Sequence, residues 1–209
     1  MIPGSNDQYA NKFVRTYLSC LHEKAYELIR IIQRSKEGNF MDHSLKKIEW
    51  ISGITASVLG VIFHFIYGWT NDNPVAGLFF PVNESTWEHL KLIFFPILLV
   101  SIWEYFFFRA KYDNFICVKF FSALIGMAIT VTAFYTYTGI YGKNSDVMNI
   151  LIYFFSMAAA YAFSYKMLRR HKLCEASAQG CYMGFMILSL LFIIFTIFPP
   201  PIGLFAPPV

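Results

Sequence analysis

Five long apolar stretches constrain the fold of this chain more than any other feature of its sequence. A helix needs about 20 residues to cross the hydrocarbon core of a bilayer, and a helix satisfies its own backbone hydrogen bonds there. The sequence therefore predicts an all-α membrane protein, a bundle of five transmembrane helices. The predicted spans are residues 48–69, 87–108, 115–137, 147–168 and 178–198.

The composition and the segments outside the spans fit this prediction. Charged residues make up 14% of the 209 residues, whereas a soluble domain carries about 25%. The polar N-terminus lacks the regions of a cleavable signal peptide, so we expect the first span to act as the insertion signal. We divide the chain into a cytoplasmic arm (1–47), a transmembrane domain (48–198) and an external Pro-rich tail (199–209), where three prolines end the last helix.

The arm carries an amphipathic pattern. Apolar residues recur every three or four positions from Phe13 to Ile32, and most charged residues lie between them. This pattern predicts a helix with one apolar face. It fits a helix on the cytoplasmic leaflet, or one that pairs with a cytoplasmic partner or a second copy of the chain. We favour the membrane surface because the first span tethers the arm there.

Positive charge indicates the orientation. The loop at 70–86 contains no Lys or Arg, and the next loop on that side contains only Lys143. Lys and Arg mark cytoplasmic loops, so we predict the N-terminus inside and the C-terminus outside a bacterial plasma membrane. Lys91 is the other exception, and we expect its ammonium to extend outward. The basic residues of the inner side are Lys46, Lys47, Arg109, Lys111, Lys119, Lys166, Arg169, Arg170 and Lys172.

Three further predictions follow from residues in or near the spans. Pro96 should kink its helix and leave the carbonyl of Leu92 without its usual donor. Glu104 should form an ion pair with Arg109 or extend to the interface. Small residues at helical spacing predict close helix contacts at Ala56/Gly60, Ser122/Gly126/Thr130, Ala158/Ala162 and Gly180/Gly184. We expect reduced thiols, since all the cysteines fall on or near the cytoplasmic side: Cys20, Cys117, Cys174 and Cys181.

Polar groups converge on the external end of the bundle. His64 shares a helix face with Ala56 and Gly60, so its ring should point into the bundle. The loop at 70–86 brings the start of the second span to the same depth. The predicted pocket consists of His64, Asn83, Glu84, Glu88, His89, Tyr135 and Tyr137.

Two interpretations of these groups stay open. Ser85 and Glu88 have the spacing of a capping box, and His64 could be a buried core histidine. Alternatively, His64, Glu84, Glu88 and His89 could hold a divalent metal ion such as zinc. With an open coordination position, such an ion could activate water against a lipid-like substrate. Without a metal, the same groups could exchange protons in a transporter-like cavity.

One motif resembles a known family. It runs Val82-Asn83-Glu84-Ser85-Thr86-Trp87-Glu88-His89-Leu90-Lys91-Leu92, with His64-Phe65 upstream and Tyr135-Thr136-Tyr137 and Pro199-Pro200-Pro201 downstream. These residues resemble a family of bacterial integral membrane proteins of unknown function, over residues 48–205. The tail departs from the family pattern, because Pro201 and Ala206-Pro207 replace a His and an Asp-Pro. The resemblance implies a bacterial plasma membrane and supplies no activity.

Three functions are compatible with the sequence. The first is an outward-facing polar pocket that binds or moves a small substrate or ion, with a homodimer needed for a pathway. The second is an intramembrane metal-dependent hydrolase of a lipid-like substrate, and the third is a non-catalytic accessory or assembly protein. The net charge of +4 is accounted for by the inner loops, so the expected partner is the lipid bilayer and not nucleic acid.

Overall fold

In a computed structural model of the chain, the described residues are 43–108, 112, 114–170 and 178–207, together with Glu27. The predicted amphipathic helix of the arm lies outside these ranges except for Glu27. The chain divides into two units, Met1–Leu45 and Lys46–Val209. The bundle described below belongs to the second unit, and the three-part domain division stays a prediction.

Five helices of the described residues are long and apolar enough to cross a membrane. They are α1 (His43–Trp69), α3 (Thr86–Phe108), α4 (Phe115–Tyr141), α5 (Asp146–Arg170) and α6 (Ala178–Ile197). The short helix α2 (Pro74–Gly77) lies in the loop between α1 and α3, and a 3₁₀ turn (Gly203–Phe205) follows α6. The predicted all-α class and the five spans are thereby confirmed.

Helix α3 lies at the centre of the bundle. An apolar stretch of 18 residues in α3 is 61% buried, against 22% for the corresponding stretch of α1 and 17% for that of α6. A helix that is apolar on all sides is stable when other helices surround it. The rings of Phe94 and Phe95 on α3 pack against Phe192 of α6, with centroids 5.2 and 5.8 Å apart. The outer helices leave large apolar side chains exposed, as expected of surfaces that face lipid.

The backbones of α1 and α3 approach each other closely at Gly60. A Cβ atom at this position would lie 2.5 Å from the carbonyl oxygen of Leu92 and would overlap the hydroxyl of Tyr153. Leu92 is the residue whose carbonyl Pro96 leaves without a helical donor. The Tyr153 hydroxyl donates to the carbonyl of Ser57, 2.8 Å away, and so ties α5 to the same contact.

The other small-residue predictions had mixed outcomes. Gly126 of α4 faces Ala160 of α5, and Thr130 donates to the Ser156 hydroxyl at 2.8 Å, so this seam is confirmed. The prediction for Ala158/Ala162 was wrong, since both residues are exposed. Helix α5 contacts α4 through the opposite face, two positions away in sequence, which carries Ser156 and Ala160.

The prediction of reduced thiols was wrong for Cys117 and Cys181. A disulfide joins them, linking α4 to α6 with their Cα atoms 5.1 Å apart. Cytosolic reductants keep cysteines reduced only where they can reach the sulfur atoms. These two cysteines are only 1% and 7% exposed, between packed helices. Cys20 and Cys174 lie outside the described residues.

Alkylation tests this disulfide. In protein purified and denatured without reductant, we expect a thiol reagent to leave Cys117 and Cys181 unlabelled, because both sulfurs are bonded. Reductant added after denaturation should expose both. Peptide mass spectrometry reads the labelled positions, and labelling of either peptide without reductant would show a free thiol instead.

Candidate metal site at the α1–α3 mouth

The chain between α1 and α3 folds back over the end of α1. Asn71 and Asp72 adopt left-handed backbone conformations, with φ of 52° and 56°, which turn the chain out of α1. Asn73 then caps α2 by accepting a hydrogen bond from the Val75 amide at 2.9 Å. The loop returns to α3, which begins at Thr86. The two helix ends are thus held side by side, as the sequence predicted for a short external loop.

Three predicted site residues meet at this mouth: His64 of α1, Glu84 of the loop and His89 of α3. One nitrogen or oxygen atom from each lies within 4.8 Å of the other two. Nε2 of His89 is 3.3 Å from Oε2 of Glu84, and Nε2 of His64 is 3.9 Å from Oε1. Ligands about 2.1 Å from a tetrahedral zinc ion lie about 3.4 Å apart. The spacing therefore suits such an ion after small side-chain movements.

The hydrogen bonds of His89 orient its ring for ligation. Its Nδ1 lies 3.0 Å from the carbonyl oxygen of Ser85, and a carbonyl can only accept, so Nδ1 carries a proton. In a neutral ring Nε2 is then a lone-pair acceptor, and it faces the Glu84 carboxylate. Two acceptors require a cation or a second ring proton between them. Histidines that bind a metal through one ring nitrogen commonly donate a hydrogen bond from the N–H of the other nitrogen to a carbonyl oxygen, as His89 does here.

Glu84 is suited to receive a cation. Without a metal ion, a second ring proton on His89 donates a hydrogen bond to Glu84, which holds the pKa of the Glu84 carboxyl below its usual range; partial burial opposes this, and the charges of His89 and His64 add to it. The carboxylate is therefore ionised at neutral pH. Its side chain is 67% exposed, against 33% and 28% for His64 and His89, so the group opens to the outside of the bundle.

Glu88 does not join this group, although the sequence suggested it as a ligand. Its carboxylate is 2.7 Å from Nζ of Lys91 and accepts the Val82 amide at 3.0 Å. Lys91 also donates to the Gly77 carbonyl at 2.9 Å and to the Thr196 hydroxyl of α6 at 2.6 Å. The expectation that Lys91 extends outward was wrong, because a buried carboxylate one turn earlier on α3 pairs with it. The Glu88–Lys91 pair fastens the loop to α3 and α6.

Half of the predicted capping box is present. The Ser85 hydroxyl accepts from the Glu88 amide at 3.3 Å, as an N-cap does. The Glu88 side chain does not return to Ser85, whose amide instead donates to Oδ1 of Asn83 at 2.9 Å. Because α3 begins at Thr86, Glu84 is not in the helix and does not share a face with Glu88. Asn83 therefore shapes the turn that presents Glu84.

The two predicted tyrosines lie on α4. Tyr137 is buried, and its hydroxyl contacts Oδ1 of Asn144 at 2.8 Å and Oδ1 of Asn149 at 2.5 Å. These contacts organise the turn between α4 and α5. Tyr135 is 43% exposed and packs edge-on against Phe134. Neither side chain is brought to the His64, Glu84 and His89 group.

Sequence reasoning missed a second polar cluster at the opposite ends of the same helices. Glu104 pairs with Lys119 of α4 at 2.8 Å, and Lys119 also pairs with Glu49 of α1 at 2.7 Å. The expected structural ion pair of Glu104 thus exists, with a different partner; Arg109 lies outside the described residues. Glu49 and Lys119 are 70 positions apart, so no local spacing in the sequence joins them.

Comparison with known proteins gives a family without an assigned activity. No curated protein and no solved structure matches the chain. The model of a family of unknown function, DUF6512, matches residues 40–209, which include all five spans and the three residues of the mouth. The chain therefore belongs to this family of unknown function (DUF6512).

Proposed function

We propose that this multi-pass membrane protein binds a divalent metal ion of the zinc class at an outward-facing site made by His64, Glu84 and His89. The proposal also places the chain in a bacterial plasma membrane, with its N-terminus inside and its C-terminus outside, on the distribution of Lys and Arg. The observation that carries it is the convergence of three ligand atoms within 4.8 Å. Two imidazoles and one carboxylate form an N/O ligand set that zinc favours.

Metal binding by purified protein tests the proposal. We expect the full chain in detergent to bind about one zinc ion per molecule, since a structural or catalytic zinc site takes one ion through three or four protein ligands. His64→Ala and His89→Ala should each remove most of this binding. Isothermal titration with zinc and metal analysis after desalting measure it.

Matched controls are available on exposed positions. His43→Ala removes an exposed histidine at the other end of α1, and Asp146→Asn removes an exposed carboxylate of α5. Both should bind zinc as the unmodified chain does. Zinc binding that survives the loss of His64 and His89, or that is equally weak in all variants, would contradict the proposal and favour an accessory role.

A metal-dependent hydrolase is the second candidate, and the ligand count supports it. Catalytic zinc sites keep three protein ligands and leave one position for water. Glu88 is unsuited as the general base, because its carboxylate already pairs with Lys91 and accepts the Val82 amide. Zinc-dependent release of a fatty acid or phosphate from bilayer lipid, lost in His64→Ala, would favour hydrolysis over ion binding alone.

A further inference from the structure

The second polar cluster, here called the inner centre, consists of Glu49, Glu104 and Lys119. It joins the first turns of α1 and α4 to the last turns of α3. All three side chains are buried, with 3%, 0% and 0% of their surface exposed. Along α3 it lies 15 residues from His89, which is about 22 Å of helix. It is therefore separate from the proposed metal site, and its charge balance does not depend on zinc binding.

The inner centre has an unbalanced charge. Two carboxylates face one ammonium, which sits 2.7 and 2.8 Å from them. Tyr161 of α5 packs against the same ammonium, 5.0 Å from the ring centroid to Nζ. Glu49, Glu104, Lys119 and Tyr161 thus bring one titratable group each from α1, α3, α4 and α5 to this centre. A net charge of −1 inside an apolar bundle is costly unless a further cation compensates it.

Buried oxygen atoms without partners lie on these residues, on Tyr161, and one helical turn away on α1 and α3. Among the described residues, Oε1 of Glu104 is buried and accepts no hydrogen bond, and Oε2 of Glu49 is buried with the Ser164 hydroxyl of α5 close by. The hydroxyls of Ser52, Ser101 and Tyr161 are likewise buried without a partner. Ser52 lies one helical turn from Glu49 on α1, and Ser101 one turn from Glu104 on α3. Each buried oxygen without a hydrogen-bond partner would lower the stability of the fold by about 1–3 kcal/mol if nothing bound it.

We propose that the inner centre binds one small monovalent cation, a proton or a sodium ion, between Glu49 and Glu104. One such ion cancels the net charge of −1, whereas a divalent ion would leave the centre at +1. The atoms at the inner centre that could coordinate a cation are all oxygens. Oxygen ligands favour a hard cation over the softer metals proposed for the outer mouth. Four helices (α1, α3, α4 and α5) contribute residues to this cation site, which lies at the end of the bundle opposite the proposed metal site.

Infrared difference spectroscopy tests this proposal on the full chain in lipid nanodiscs. In sodium-free buffer at neutral pH, we expect the band of a protonated buried carboxyl group. Glu49→Gln or Glu104→Gln should remove it, while Asp146→Asn, which alters an exposed carboxylate of α5, should leave it unchanged. The Gln variants keep the shape of the centre and remove its excess negative charge, so they should fold.

Sodium addition distinguishes the two cations. If sodium is the ligand, the band should disappear as sodium replaces the proton, and the melting temperature should rise in the unmodified chain but not in Glu104→Gln. If the proton is the ligand, adding sodium should leave the band unchanged, and the band should disappear only at alkaline pH. Absence of the band together with no response to sodium, or a band that persists in both Gln variants, would overturn the proposal.

Discussion

Replacing Lys91 by methionine is expected to lower the free energy of unfolding by about 3–5 kcal/mol, the usual cost of leaving a buried charge without its partner. Methionine fills a similar volume but donates no hydrogen bond. The buried Glu88 carboxylate would lose its counter-charge, and the Gly77 carbonyl and Thr196 hydroxyl would lose a donor. Thermal unfolding in detergent, followed by circular dichroism, measures the change.

Two further variants separate charge from shape in this prediction. Adding Glu88→Gln to Lys91→Met removes the unpaired charge and keeps an acceptor for the Val82 amide, so it should recover more than half of the lost stability. Lys143→Met changes an exposed lysine and should have little effect. Equal stability of the single and double variants would mean that the ion pair is not what fastens the loop. Because that loop carries Glu84, Lys91→Met should also weaken zinc binding.

Gly60→Ala should be nearly as damaging, with a loss of about 3 kcal/mol, the upper end of the range for an overpacked core. The new methyl group would meet the Leu92 carbonyl at 2.5 Å, and a backbone atom cannot rotate away. It would also displace the Tyr153 hydroxyl from the Ser57 carbonyl. Both effects push α1 away from α3, so zinc affinity should fall together with the melting temperature.

The matched controls for Gly60→Ala are alanine variants of two other glycines that lie inside helices and have empty space around them. Gly68 of α1 and Gly139 of α4 have no atom within 4 Å of an added Cβ. Alanine there should be neutral or stabilise by up to about 1 kcal/mol, because it restricts the unfolded chain. If Gly60→Ala melts at the same temperature as these controls, the close approach of α1 and α3 is not required for stability.

The spans could be predicted because membrane crossing imposes a length and an apolar composition on each helix. The helix phase that places Gly60 and His64 on one face likewise followed from the sequence. The ends of the spans were predicted less exactly, since α1 begins at His43 and α4 continues to Tyr141. Polar residues at helix ends add turns that hydropathy alone does not mark.

The grouping of side chains at the candidate site was predicted in part, and the errors have local causes. His64, Glu84 and His89 come together because a short loop joins two adjacent helix ends. Glu88 was assigned to the group on the assumption of a helix that already includes Glu84, but the Asn83–Ser85 turn delays its start. Lys91 was expected in water because isolated lysines extend there. Its burial depends on Glu88 and on Thr196, which is 105 positions away and invisible to local spacing.

The contact between Gly60 and the Leu92 carbonyl has a consequence for ion selectivity at the proposed metal site. His64 lies one turn beyond Gly60, and His89 lies one turn before Leu92, so both imidazoles project from main chains that are in close contact one turn away. Zinc ligand bonds of about 2.0–2.2 Å fit a narrow gap, whereas calcium needs about 2.3–2.6 Å. Widening the gap would require separating two main chains in the membrane. Glu84, on its exposed loop, is the most mobile of the three proposed ligands, so we expect the proposed site to bind zinc in preference to calcium.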